Sequence, residues 1–194
     1  MKPAAFEYHA PDSLEQALQI MRLNAGEGKI LAGGQSLVPA MNFRVAQPSV
    51  LIDLNRVSEL SFIREEGETI RIGAMARERH LEFDSSIAKR IPLLTEATPF
   101  IAHPQIRNRG TIGGSIVNAD PAAELPVLML ALNARLKARN ASNERWIDAP
   151  DFSLACSAPR SGLMKFWLRS NCHLCQRTQA GRSWKLRRAQ ATMH

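Results

Sequence analysis

Two glycine-rich stretches of the chain decide its fold: LAGGQSL at residues 31–37 and GTIGGSI at residues 110–116. Each of these glycine loops has a Gly-Gly pair that is followed within two residues by a serine. Glycine lets a backbone approach a ligand closely and adopt positive φ angles. Successive exposed N–H groups in such a turn form an anion-binding nest, and a following helix adds its N-terminal dipole. The hydroxyls of Ser36, Thr111 and Ser115 are further donors for a phosphate.

The interpretation as a ligand site rests on both loops, because a single Gly-Gly pair is equally well explained as a tight turn. Two loops of the same composition on two structural units predict a cleft that binds a pyrophosphate between them. Neither loop has the Gly-Lys-Ser/Thr of a Walker A motif or the Gly-x-Gly-x-x-Gly of a Rossmann fold. The loops therefore predict a dinucleotide that is bound by a fold other than the Rossmann fold.

The first glycine loop lies in a predicted strand–helix–strand unit that ends near residue 55. Apolar residues three and four apart between Leu14 and Met21 predict a helix. Asp12 and Glu15 have the spacing of a capping box at its start. The other elements predicted here are two strands and one or two helical turns, at residues 29–32, 50–54 and 37–43. This alternation is typical of a small α/β unit.

The second glycine loop lies in a second predicted unit, residues 56–152. The sequence shows no internal repeat of solenoid period there. Strands are predicted at residues 69–73, 135–138 and 145–147. Helices are predicted at residues 77–83, 87–95 and 122–132, the last with Pro121 at its start.

The charge of the chain is divided unevenly along its 194 residues. Residues 1–151 carry 17 of the 25 basic residues and all 18 acidic residues, so residues 152–194 contain no acid. A nucleic-acid interpretation of the net charge of +7 would rest on this tail alone. One Tyr and seven Phe also offer few stacking side chains, so we expect no nucleic-acid partner.

The sequence predicts a cytoplasmic protein. No apolar run approaches the length of a transmembrane segment, and the first residues, MKPAAFEYHAPDSLEQ, lack the apolar core of a secretory signal peptide. The chain before Cys156 contains no cysteine. This absence argues against a disulfide scaffold.

Three stretches resemble a known flavoprotein family: KILAGGQSLVPAMNFR at residues 29–44, VLIDL at 50–54 and IAHPQIRNRGTIGGSIVNADPAAELP at 101–126. They are similar to the FAD-binding subunit of molybdenum hydroxylases, which includes the medium subunit of aerobic carbon monoxide dehydrogenase and the flavin domain of xanthine dehydrogenase. The resemblance covers residues 1 to about 152. It implies an α+β, two-subdomain FAD-binding fold of the molybdopterin dehydrogenase or vanillyl-alcohol-oxidase-like type. The subdomains are residues 1–55 and 56–152, with FAD between them.

The resemblance also implies which residues contact FAD. The first loop, which holds the pyrophosphate in the family, matches Lys29, Ile30, Leu31, Ala32, Gly33, Gly34, Gln35 and Ser36. The second loop matches Ala102, Gly110, Thr111, Gly113, Gly114 and Ser115. Asp120 matches a polar position near the ribityl chain. Because the cofactor carries the redox chemistry, we expect no side chain to act as a catalytic acid, base or nucleophile, and none to bind a metal.

The resemblance implies an oxidoreductase subunit that transfers electrons. In such enzymes electrons leave a molybdopterin site on a large subunit, cross iron–sulfur centres on a small subunit and reach FAD. The flavin passes them to an acceptor such as NAD or a quinone. Molybdopterin and iron–sulfur clusters are therefore expected only on partner subunits. The alternative is a non-catalytic module that binds FAD or another nucleotide, or that only docks to partner subunits.

Several residues near the loops have more than one interpretation. His103 is compatible with a core or loop histidine whose ring is satisfied by the backbone. Arg107 and Arg109 are compatible with a solvated face, a subunit contact or a phosphate contact. Asp120 and Glu124 could simply cap the helix that follows them. The methionines most simply fill the core: Met21, Met41, Met75 and Met129.

Residues 153–194 form an atypical basic tail that departs from the family pattern. The family continues with an acidic strand and a C-terminal domain, which we expect this chain to lack. Permitted codons for GLMKFWLRSNC at residues 162–172, read from the third base, give LDEILVEVQL, which resembles that acidic strand. We hypothesise that the tail is out of frame and that the truncated chain transfers electrons poorly. Cys172-x-x-Cys175 provides only half of a zinc site.

Overall fold

The computed structural model describes the backbone of residues 2–155 and 163–169 and the side chains of residues 2–152. In this part of the chain, a unit built on a parallel sheet precedes a unit built on an antiparallel sheet. Among the described residues, no helix combines the length and apolar composition that crossing a bilayer requires.

The first unit places the first glycine loop at the end of a parallel strand. Its strands are β1 (Glu7–His9), β2 (Gly28–Leu31) and β3 (Val50–Asp53), and its helices are α1 (Leu14–Leu23) and α2 (Leu37–Asn42). The strand order is β1-β3-β2, with all pairs parallel. The predicted helices and strands are confirmed. The sequence does not predict β1, because three residues are too few to show an alternating pattern.

The start of α1 differs from the predicted capping box by one residue. The N-cap is Ser13, whose hydroxyl accepts a hydrogen bond from the backbone N–H of Gln16 at 3.3 Å. The side-chain oxygen of Gln16 accepts one from the backbone N–H of Asp12 at 3.1 Å. The capping prediction for Asp12 and Glu15 is therefore wrong, because a serine one position later makes the cap and a glutamine replaces the glutamate.

The second unit combines an antiparallel sheet with short helices. Its strands are β4 (Ile63–Glu66), β5 (Thr69–Ile72), β6 (Arg135–Arg139), β7 (Glu144–Asp148) and β8 (Leu163–Arg169). Its helices are α3 (Glu78–Phe83), α4 (Ser85–Arg90), α5 (Pro92–Ala97), α6 (Pro104–Arg109), α7 (Ile112–Asn118), α8 (Glu124–Ala131) and α9 (Ala149–Ala155). The strand order is β4-β5-β8-β6-β7.

The structure corrects two helix predictions in the second unit. Residues 87–95 form parts of α4 and α5 and not one helix, because Ile91 leaves helical geometry, with a φ of −135°, before Pro92. The helix predicted from Ala122 begins two residues later, as α8. Ala122 itself lies in a turn, where its N–H donates to Oδ1 of Asp120 at 2.9 Å.

Strand β8 lies within the segment predicted to be an atypical tail. Its backbone pairs with β5 on one side and β6 on the other, with Leu168 opposite Ile70 and Phe166 opposite Leu136. The sheet of the second unit therefore extends beyond residue 152. The hypothesis that residues from about 153 are out of frame stays a prediction.

Each unit has its own apolar core. Leu18 and Ile52 are fully buried in the first core, and Ile72 and Leu81 are fully buried in the second. Met75, which lies three residues before the start of α3, packs in the first core and so joins the units. Of the predicted methionines, Met75 and Met129 lie in these cores and Met21 packs against the first core. Met41 is also buried, but it belongs to neither core cluster.

Candidate cofactor-binding cleft

A cleft with a cavity volume of about 480 Å³ lies between the two units. One wall consists of β2, the first glycine loop and α2. The opposite wall consists of the second glycine loop, α7 and the start of α8. The structure therefore brings the two loops to one cavity, as the sequence predicts.

Thirteen of the fifteen residues predicted to bind the cofactor line this cleft. They are Lys29, Ile30, Ala32, Gly33, Gly34, Gln35, Ser36, Gly110, Thr111, Gly113, Gly114, Ser115 and Asp120. Leu31 is not among the lining residues, and its side chain packs 3.2 Å from the position of a Cβ on Gly34. Ala102 is exposed and also does not line the cleft, although its neighbour Ile101 does.

The first glycine loop contains a run of unpaired backbone donors. Among the described residues, no acceptor bonds to the N–H groups of five consecutive cleft-lining residues: Gly33, Gly34, Gln35, Ser36 and Leu37. Gly34 adopts a φ of +76°, which glycine permits without steric strain. Because backbone donors are almost always paired when water is removed, this loop suits a ligand that brings several acceptor oxygens.

The second glycine loop differs, because the N–H groups of Gly113, Gly114 and Ser115 already have partners. The N–H of Gly113 donates to the carbonyl of Ala74 at 2.9 Å. Thr111 caps α7, and its hydroxyl oxygen accepts from Gly114 N–H at 3.1 Å while its carbonyl accepts from Ser115 N–H at 3.0 Å. The prediction of an anion-binding nest at this loop is therefore wrong. The donors that it offers are the hydroxyl hydrogens of Thr111 and Ser115.

The two loops touch at their glycines. A Cβ on Gly33 would lie 2.5 Å from the carbonyl oxygen of Arg109 and 2.8 Å from Cα of Gly110. A Cβ on Gly114 would lie 3.4 Å from Cβ of Ala32. The glycines thus let two backbones from distant parts of the chain meet at the base of the cleft.

Arg77 and Asn55 connect the two glycine loops by hydrogen bonds. The Arg77 guanidinium donates to the carbonyl of Arg109 and, at 2.6 Å, to Oδ1 of Asn55. Nδ2 of Asn55 donates to the carbonyl of Ala32 at 3.1 Å. Burial and the nearby Arg109 lower the pKa of Arg77, while Asp53 acts in the opposite direction. The sequence did not identify Arg77 or Asn55, because neither belongs to a motif.

Glu78, the first residue of α3, is a buried acid at the cleft that the sequence also did not identify. Only 4% of its surface is exposed, and it lines the cavity. Burial, together with the charge of Glu124, raises the pKa of Glu78 to about 7, although Arg107 opposes the change. An acid at the start of a helix usually indicates only a favourable interaction with the helix dipole. The sequence therefore does not distinguish Glu78 from other acids at helix starts.

Arg107 is a buried structural residue, and the surface and phosphate-contact interpretations are wrong for it. Its Nε donates to Glu82 at 3.1 Å. Its Nη1 donates to the carbonyls of Pro99, Ile101 and Ala102 at 2.9 to 3.3 Å. These bonds fix the turn in which Ala102 has a φ of +42°. A guanidinium can satisfy several acceptors at once, which a buried cation requires.

The remaining ambiguous residues lie near the cleft without a shared role. His103 is exposed at the N-cap position of α6 and makes no side-chain capping bond, so it is a loop histidine and not a core one. Arg109 is also exposed. Asp120 caps the turn before α8, and Glu124 is the first residue of that helix. In the described part of the chain, no three His, Cys, Asp or Glu side chains converge as metal ligands. Cys172 and Cys175 lie outside it.

This arrangement gives the chain a candidate dinucleotide site of a type other than that of the Rossmann fold, between an α/β unit and an antiparallel-sheet unit. The chain belongs to the family described as the FAD binding domain in molybdopterin dehydrogenase, whose model matches residues 4–168. This match confirms the resemblance seen in the sequence, the α+β two-unit fold and FAD as the cofactor of the domain.

Named relatives agree with this family. The chain is 52% identical over 147 residues to the 6-hydroxypseudooxynicotine dehydrogenase complex subunit alpha of Paenarthrobacter nicotinovorans, covering 76% of this chain and 50% of that protein. It is 46% identical over 154 residues to the carbon monoxide dehydrogenase medium chain of Hydrogenophaga pseudoflava, covering 79% and 54%.

The fold is similar to a solved structure of carbon monoxide dehydrogenase from Hydrogenophaga pseudoflava that lacks the Mo-pyranopterin moiety of the molybdenum cofactor. The TM-score is 0.84 at 40% sequence identity, over 89% of this chain and 62% of that chain. The chain spans about half the length of the sequence relatives that it matches.

Proposed function

We propose that this chain binds FAD in the cleft between its two units. The observation that carries the proposal is the run of five unpaired N–H groups from Gly33 to Leu37, which suits the oxygens of a pyrophosphate. The glycine contacts support it, because they keep the base of the cleft free of side chains. The residues that would hold FAD are the thirteen predicted residues that line the cleft.

The two glycine loops would contribute different hydrogen-bond donors to FAD binding. The first loop would hold the pyrophosphate through its backbone donors. The second loop would orient the cofactor through the hydroxyls of Thr111 and Ser115, because its own N–H groups bond to Ala74 and Thr111. Apolar residues on the cavity wall, such as Met21 and Leu54, would exclude water from the bound cofactor.

We further infer that the chain is the flavin-carrying, electron-transfer part of a molybdenum hydroxylase. Bound FAD supplies the redox chemistry, accepting electrons that originate at molybdopterin and passing them to an acceptor such as NAD or a quinone. Iron–sulfur and molybdopterin subunits would be the partners, in the cytoplasm. The relatives support this inference, since they are named as subunits of dehydrogenases. The absence of cysteine before Cys156 is in keeping with a reducing compartment.

An absorption spectrum of the purified full chain, recorded with and without added FAD, tests the proposal. We expect protein-bound flavin bands after removal of free FAD, and we expect dithionite to bleach them. A chain that takes up no FAD at millimolar concentration would contradict the proposal. A bound flavin that reductant cannot bleach would instead favour the non-catalytic binding module.

A further inference from the structure

Glu78 lines the cleft and, in the part of the chain that the structure describes, has a buried carboxylate oxygen without a hydrogen-bond partner. Its side chain is almost fully buried, and within the described residues its Oε2 has no hydrogen-bond partner. A buried polar atom without a partner costs free energy, and an unpaired buried charge costs more. Glu78 also lines the cavity. A ligand in the cleft is therefore well placed to provide the missing partner.

The second glycine loop holds this carboxyl in place. The backbone N–H of Glu78 donates to the carbonyl of Gly110 at 3.0 Å. A Cβ on Gly110 would lie 2.7 Å from the carboxyl carbon of Glu78 and would clash with its oxygens. Glycine at position 110 therefore leaves room for the carboxyl, which packs against the loop backbone beside the proposed FAD site.

The charges around Glu78 come from three helices. From α8, Glu124 disfavours its ionised form, and from α6, Arg107 favours it. On α3 itself, Glu82 lies one turn away and accepts from Arg107 at 3.1 Å, so this cation is shared. Lys29 and Asp120 line the same cavity, with opposite charges. No cation is therefore dedicated to Glu78 within the described residues.

We propose that Glu78 takes up a proton when FAD binds and then donates a hydrogen bond into the cleft, so that affinity for FAD falls as the pH rises. This inference rests on the proposed function. The pyrophosphate of FAD is anionic, so an ionised Glu78 in the same cavity repels it, whereas a neutral carboxyl can donate to an acceptor. Proton uptake and cofactor binding are thus linked in both directions.

The test is the pH dependence of FAD affinity, measured by flavin fluorescence on the full chain. For the wild-type chain we expect Kd to rise about tenfold between pH 6 and pH 8, as linkage predicts for a group that titrates near pH 7 and is protonated in the complex. For Glu78→Gln, which keeps a donor but cannot ionise, we expect a change of less than about twofold. Glu96→Gln is the matched control, because Glu96 is exposed on α5, and it should retain the wild-type dependence.

A second measurement does not depend on the variant. Titration calorimetry at pH 7.5 in buffers of different ionisation enthalpy should show uptake of about 0.8 proton per FAD bound by the wild-type chain. No proton uptake, or the same pH dependence in the wild-type and Glu78→Gln chains, would overturn the role of Glu78 while leaving FAD binding intact. Failure of the wild-type chain to bind FAD at any pH would instead refute the proposed function.

Discussion

Gly33 and Arg109 are in backbone contact, although 75 residues lie between them in the sequence. A Cβ at position 33 would lie 2.5 Å from the carbonyl oxygen of Arg109. That oxygen also accepts a hydrogen bond from Arg77, so it is held and cannot easily move aside. The first glycine loop is therefore positioned by the backbone of the second unit as well as by its own strand.

Gly33→Ala is expected to separate the two loops. We expect a loss of stability of about 1–3 kcal/mol, the usual cost of overpacking, and at least a tenfold rise in Kd for FAD. Thermal unfolding and flavin fluorescence measure the two effects. Gly67→Ala is the control for FAD binding, since Gly67 lies in an open turn with no atom near its Cβ position. It is not a control for stability, because alanine is strained at its φ of +58°. If both variants bind FAD equally well, the contact at Gly33 is not needed for the site.

Arg77 and Asn55 are expected to be energetically coupled, because the guanidinium donates to Oδ1 of Asn55 at 2.6 Å. In a double-mutant cycle of Asn55→Ala and Arg77→Met, urea unfolding should give a coupling energy of about 1 kcal/mol. The exposed pair of Arg135 and Asp148, at 3.2 Å, provides a reference cycle with a smaller coupling. Strictly additive effects of the two substitutions would show that the pair does not join the units.

Arg107→Lys is expected to destabilise the chain strongly. A lysine cannot reproduce the guanidinium bonds to Glu82 and to the carbonyls of Pro99, Ile101 and Ala102. We expect a loss of about 3 kcal/mol in the free energy of unfolding, as for other broken buried ion pairs. Arg109→Lys, at an exposed position of the same helix, should change it by less than about 0.5 kcal/mol. Equal effects in denaturant unfolding would contradict the buried role of Arg107.

Without cofactor, Glu78 is expected to make stability depend on pH. Its pKa is raised from an ordinary value of 4.5 to about 7 in the folded chain. Between these values the folded chain binds more protons than the unfolded chain, so this contribution to stability falls as the pH rises and levels off above about pH 7. The melting temperature of Glu78→Gln relative to wild type should therefore increase from pH 5 to pH 8. A difference that stays constant over this range would contradict the raised pKa.

The hypothesis that the segment from about residue 153 is out of frame leads to a prediction about DNA. Sequencing the coding region should reveal codons that give LDEILVEVQL from the third base across residues 162–172. An intact frame in independent isolates, with those codons absent, would refute the hypothesis. The pairing of β8 with β5 and β6 is a property of the chain as it stands, and it does not decide between the two outcomes.

The sequence predicts the loops well because their chemistry is local. Gly33-Gly34 and Gly113-Gly114 stand out in composition alone, and the structure places both pairs on the cleft. Whether the N–H groups of a loop are free is not local. The N–H of Gly113 is taken by Ala74, which is far away in the sequence, so the two loops look alike in sequence and differ in the fold.

Residues that act through tertiary contacts could not be found in the same way. Glu78 and Arg107 read as ordinary charged helix residues, yet both are buried because α3 and α6 pack together. Arg77 reaches Asn55 across the boundary between the units. A single sequence carries no signal for such contacts, because charge and helical periodicity are the same at exposed positions.

The position of β8 also bears on how the chain folds as it leaves the ribosome. The parallel sheet of the first unit is complete once residue 53 has emerged, because all of its strands precede that point. The antiparallel sheet is different, since β8 inserts between β5 and β6 and both of these strands are synthesised earlier. Until residue 169 emerges, β5 and β6 each have an open edge that can pair with other chains. Nascent chains paused between residues 148 and 163 would therefore be the forms that depend most on chaperones.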